Sequence, residues 1–223
     1  EVDSLIENVA AERDAEFADP ATRESKALLA AAELVQQGHY ASARRILMTM
    51  AGGSRENPGL CLALARVNEA MEKWADAAVW YAAADEAEFA SGISETRPRW
   101  RRQRARCHYR SGEYRPACDA WGMCLEPGDR TLSMGELIEY ADSCMRIDDY
   151  ETAQSLLDQV SARSSGRLKD VQILRVTWAL RRGDLDSAEV AVQAALDEWT
   201  SEPRFQRLAE LIETARSARL AES

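Results

Sequence analysis

Seven arginines occupy the fourteen residues from Arg97 to Arg110 (Arg97, Arg99, Arg101, Arg102, Arg104, Arg106 and Arg110), in a chain of 223 residues whose net charge is -10. A guanidinium is a planar fork of N–H donors, and the chemistry it performs unaided is bidentate binding of carboxylates and phosphates. If the run is helical, Arg99, Arg102, Arg106 and Arg110 fall 3, 4 and 4 residues apart and stack on one face. Like charges at that spacing cost roughly 0.2–0.5 kcal/mol per pair, and cations in a first turn oppose the helix dipole by about 0.3–1 kcal/mol each. An anion is expected to offset this cost. It comes either from acids on neighbouring helices of the same chain, as an ordinary ion-pair ladder, or from an external partner.

Other chemistry is sparse. The two histidines, His39 and His108, have no second histidine or suitably spaced acid with which to hold a metal. Cys107 and His108 are sequence neighbours and point in different directions on a helix. The five cysteines (Cys61, Cys107, Cys118, Cys124, Cys144) show no CxxC spacing and read as small hydrophobes on packed faces, which suits a reducing cytoplasm. No GxGxxG, P-loop or GxSxG stretch occurs. The residues therefore predict no catalytic centre, no metal and no cofactor. Trp74 and Trp121 fall at core positions of the pattern described next, and most of the six tryptophans read as packing residues.

The elements that must position the arginines are helices. Hydrophobic residues make up 46% and charged residues 30%, a globular balance; glycine and proline are scarce, alanine is abundant, and no alternating β-branched run appears. No apolar stretch is long enough to cross a bilayer, which predicts a soluble protein. Five short turns each precede a large side chain with alanine three residues later: Tyr40 and Ala43, Trp74 and Ala77, Tyr114 and Ala117, Tyr150 and Ala153, Leu185 and Ala188. The large residues stand 34, 40, 36 and 35 apart. Such a period marks stacked supersecondary units. Asn57-Pro58, the Ser133-x-x-Glu136 capping box and Glu202-Pro203 supply helix starts in register with it.

The pattern resembles the tetratricopeptide repeat, a 34-residue helix-turn-helix unit, over about residues 24–199. Small residues before each turn (Ala31, Ala65, Ala105, Ala141) match the position where the family's two helices touch, with Val176 in the fifth repeat. The family's closing proline is out of register, and the second interval is stretched by six residues. The resemblance implies an all-α fold: a right-handed superhelical stack of about five helix-turn-helix repeats. An N-terminal helix (residues 1–20, with Leu5, Ile6, Val9, Ala10 and Phe17 as its apolar face) and a capping helix and tail (200–223) complete a single α-solenoid domain spanning 1–223.

In such stacks the first helices line a concave groove. The resemblance places Arg66, Arg99, Arg102, Arg106, Tyr109, Arg110 and Arg146 on that face as candidate binding residues, with Glu69 and Asp142 as the acids that an internal ladder would use. It implies a non-catalytic protein-protein interaction scaffold that takes an acidic or phosphorylated peptide segment of a partner. The family's chaperone-carboxylate clamp is not kept, since its positions hold Leu28, Ala32, Ala63, Arg99 and Gln103. Two alternatives stand beside this. The chain opens on Glu1 rather than Met, which reads as trimming and fits a helical-repeat accessory region of a larger bacterial enzyme or regulator. Nucleic-acid binding through the arginine run is disfavoured by the overall acidity. Oligomeric state and partner identity are not legible.

Overall fold

The computed structural model describes residues 20–52, 55–92, 97–125, 132–164 and 169–221, and among them every regular element is an α-helix. In chain order these are α1 (Pro20–Gln36), α2 (Tyr40–Ala51), α3 (Pro58–Ala70), α4 (Trp74–Ala90), α5 (Arg97–Ser111), α6 (Tyr114–Met123), α7 (Met134–Arg146), α8 (Tyr150–Ser164), α9 (Lys169–Arg181), α10 (Leu185–Glu198) and α11 (Pro203–Ala221). They form two compact units, one within residues 1–131 and one within 132–223. The N-terminal helix expected over 2–17 lies outside the described residues.

The repeat is written into the turns. Each joins a first helix to a second through a residue in the left-handed region, two positions before the large side chain: Gly38, Glu72, Gly112, Asp148 and Gly183, with φ of 78°, 57°, 79°, 63° and 71°. The next amide donates five residues back: His39 to Leu34 (2.8 Å), Lys73 to Asn68 (2.9 Å), Glu113 to His108 (2.9 Å), Asp149 to Cys144 (2.9 Å) and Asp184 to Ala179 (3.0 Å). This is the Schellman closure, which satisfies carbonyls that a helix end leaves orphaned. Glycine adopts the conformation without a Cβ penalty, whereas Glu72 and Asp148 bear it.

Past each turn, Ala43, Ala77, Ala117, Ala153 and Ala188 are all buried, as are Ala31, Ala65, Ala105, Ala141 and Val176 in the first helices. Small residues at both positions let the two helices of a repeat pack closely. The stretched interval between Trp74 and Tyr114 has a local cause, because α4 has 17 residues where the corresponding α2 has 12. At the expected starts, Asn57 accepts from the Leu60 amide (3.1 Å), and Ser133 and Glu136 form the reciprocal capping box.

In the first unit a continuous core runs from Ala27 to Cys107 and includes Leu34, Leu47, Leu64, Trp80, Tyr81 and Trp100. In the second, α11 closes the last repeat by setting Phe205 and Ile212 against Val176, Ala188 and Val192, with Trp199 stacked on Phe205 at 5.6 Å. Leu211 is 57% exposed; Phe205, Leu208 and Ile212 follow the 3–4 spacing of the buried stripe, and Leu211 is turned about 100° from Ile212.

Candidate functional site

Three of the expected arginines meet in space. Arg66 near the end of α3 and Arg106 and Arg110 on α5 line a pocket of about 390 Å³, together with Glu69, Ala70, Trp74, Gln103 and Cys107. First helices of two successive repeats thus form its walls, and the first residue of α4 forms part of its lip. The Arg110 guanidinium lies over the Trp74 ring, 4.6 Å from its centroid, an arrangement that fixes the cation at little cost in hydration. Arg66 and Arg110 are exposed and Arg106 is half-buried.

The inner wall is a fixed carboxylate. The buried Tyr81 hydroxyl donates to Glu69 Oε2 (2.7 Å), and the buried Cys107 thiol donates to Glu69 Oε1 (3.4 Å). Desolvation, reinforced by the hydrogen bond and charge of Glu69, pushes the Tyr81 hydroxyl far above its ordinary value. Desolvation and the Glu69 charge push the Cys107 thiol up likewise, with Arg110 and Arg106 working against the shift. Both groups keep their protons at neutral pH and both serve as donors, which holds Glu69 in one orientation.

The other sequence-derived candidates take different roles. Arg99 is exposed, with its guanidinium 5.3 Å from the Trp100 centroid. Arg102 is half-buried on α5. Tyr109, also half-buried, meets Tyr114 edge-on at 6.2 Å. Arg146 belongs to the second unit and pairs along α7 with Asp142 at 3.4 Å. An internal ladder exists in part, through a residue outside the proposed stripe: Arg101 reaches Asp85 on α4 (3.3 Å) and the Met123 carbonyl at the end of α6 (3.3 Å). Glu69, expected as a ladder acid, is engaged instead by Tyr81 and Cys107. His108 is structural, since its Nδ1 lies 2.8 Å from Glu113 and Ser111 donates to the same carboxylate oxygen (3.0 Å), which knits the third turn. That contact holds the Glu113 carboxyl below the usual carboxylate range.

Trp74, Gln103 and Cys107 were not read from the sequence as parts of a site. Trp74 packs against the core as expected, and it also carries Arg110 on its ring. The available signal was its place at the turn, directly across from the next first helix.

A larger and more open cavity of about 850 Å³ lies in the second unit between α8 and α9, lined by Tyr150, Glu151, Asp158, Trp178 and Arg182 among others. The Tyr150 and Trp178 rings stand 6.3 Å apart, and Arg182 lies over Trp178 at 5.1 Å. Arg175 bridges the two helices by donating to Asp158 Oδ1 (3.1 Å) and Ser161 Oγ (3.1 Å). Among the described residues no cluster of three or more His, Cys, Asp or Glu could hold a metal ion, and no helix is long and apolar enough to cross a membrane.

No protein-family model and no curated protein matches the sequence. Solved structures do resemble the fold. A tetratricopeptide repeat protein from Parabacteroides merdae superposes with a TM-score of 0.64 at 14% identity, over 87% of this chain and 73% of that one. The nearly identical TPR-like repeats of a putative kinesin light chain from Podosopora anserina give 0.51 at 17% identity, over 93% of this chain and 100% of that one. The chain therefore has a tetratricopeptide-like fold of all-α helix-turn-helix repeats.

Proposed function

We propose that this tetratricopeptide-like repeat chain is a non-catalytic scaffold that binds an acidic or phosphorylated peptide segment of a partner protein through the arginine pocket between α3 and α5. The carrying observation is the convergence of Arg66 with Arg106 and Arg110, from two repeats, on one concave site, while Arg66 makes no ion pair among the described residues. Arginine forks gathered in a partly desolvated recess bind carboxylates and phosphates more strongly than the same groups fully in water. Arg99, Arg102 and Tyr109 extend the reading along α5 as flanking contacts, and Arg146, in the other unit, is proposed as a separate contact. A single solenoid domain and a cytoplasmic setting belong to the same proposal; the latter is supported by five buried free cysteines.

The test is a peptide array of fixed length and graded acid content, with phosphorylated members, probed with wild type and with Arg66→Ala/Arg110→Ala. Retention that grows with peptide charge, weakens with salt and disappears in the double variant supports the reading. Equal retention by both proteins, or none by either, removes it.

A further inference from the structure

We infer that the pocket between α3 and α5 selects a phosphomonoester over a carboxylate. This inference rests on the peptide-binding reading above and narrows it to one ligand chemistry. The donors come from two walls, Arg66 from α3 and Arg106 and Arg110 from α5, with the Gln103 side chain also lining the recess. A carboxylate is planar and is satisfied by a single fork facing it. A phosphomonoester presents three terminal oxygens splayed tetrahedrally and carries about -1.5 to -2 charge at pH 7, so it can accept from both walls together.

The inner wall bounds the site. Glu69, held by Tyr81 and Cys107, is a fixed negative group next to the arginines. Its charge opposes a phosphate more than a carboxylate, so the selection rests on the number of donors that the two arginine walls present and not on this wall. The recess is also small. At about 390 Å³ it lies near the low end of ligand sites and accommodates one modified side chain rather than a run of residues. Trp74, braced by Arg110, supplies an apolar flank for the methylene or ring that bears the phosphate.

The experiment is isothermal titration of the full chain with three peptides, acetyl-Gly-Gly-X-Gly-Gly-amide with X as phosphoserine, glutamate or serine, and with inorganic phosphate as a fourth ligand. The phosphoserine peptide is expected to bind at least roughly tenfold tighter than the glutamate peptide, the worth of about one additional charge-assisted hydrogen bond. Its affinity is expected to rise between about pH 5 and pH 7.5 as the second phosphate proton leaves near pH 6, while the glutamate peptide stays flat. Arg66→Gln is expected to remove most of the difference. Should that variant unfold, Arg66→Lys, which keeps the charge and loses the fork, is expected to reduce it. Glutamate and phosphoserine peptides binding equally, or a flat pH response from both, overturns the phosphate inference and leaves the acidic-peptide reading standing. Inorganic phosphate binding as tightly as the phosphoserine peptide overturns the monoester form. Failure of all four ligands removes both.

Discussion

The two cavities teach that size and demand for a ligand are separate properties. The cleft between α8 and α9 has about twice the volume of the pocket between α3 and α5. Its lining holds two acids, Glu151 and Asp158, and one arginine, Arg182, and Asp158 takes Arg175 and Gln154 (2.8 Å). The smaller pocket gathers three guanidinium groups from two repeats, and its single acid, Glu69, is taken by Tyr81 and Cys107 rather than by an arginine. A lining in which Glu151 and Asp158 outnumber Arg182 gives the larger cleft no demand for an anion. An excess of three guanidinium groups over one carboxylate makes the smaller pocket a site.

The sharpest way to break this contrast is to remove the excess. Arg66→Ala/Arg110→Ala is expected to lower affinity for an acidic or phosphorylated peptide by roughly a hundredfold, about tenfold per charge-assisted contact, whereas Arg182→Ala in the other cleft leaves it unchanged. Isothermal titration of the three proteins reads this directly. Next in size, Tyr81→Phe deprives the fixed carboxylate of one buried donor and is expected to cost about 1–3 kcal/mol of stability in denaturant unfolding. No such loss follows Tyr150→Phe in the second unit, where the hydroxyl bonds the exposed Asp148.

The turns beneath the two cavities sharpen the comparison with opposite signs. Gly112, which ends the helix carrying Arg110, has open space where a Cβ would stand, so Gly112→Ala meets only its φ of 79° and is expected to lose about 1–2 kcal/mol. Asp148, which precedes the helix carrying Tyr150, already bears a positive φ of 63°. Asp148→Gly is expected to gain a few tenths of a kcal/mol in the same unfolding assay, because Asp tolerates this region better than most residues. The smallest effect is a pH dependence at the Gly112 turn. The contact with His108 depresses the Glu113 carboxyl, so its stabilisation is present above the usual carboxylate range and is lost as pH falls through the lowered value. The melting-temperature gap between wild type and Glu113→Gln is expected to close on acidification below about pH 4.3.

The fold was legible because its determinants are local. A residue able to turn left-handed, a large side chain two positions on and an alanine three further all lie within six residues, and the period repeats them. The candidate site was legible only in part. Spacing placed Arg106 and Arg110 on one face and the repeat resemblance placed Arg66 opposite them. It could not show that Arg101 turns back to Asp85, that Trp74 underlies Arg110, or that Glu69 is engaged by Tyr81 and Cys107. Those outcomes depend on which side chains meet across different helices, and no spacing within one helix encodes them.

One spectrum tests the central claim in both regions at once. Trp74 flanks the arginine pocket and Trp178 lines the larger cleft, so their indole N–H resonances in a ¹⁵N-labelled chain, assigned with Trp74→Phe and Trp178→Phe, report each cavity separately. On titration with the phosphoserine peptide, the Trp74 resonance is expected to move saturably and the Trp178 resonance to stay in place. Movement of Trp178 with Trp74 unmoved would contradict that claim.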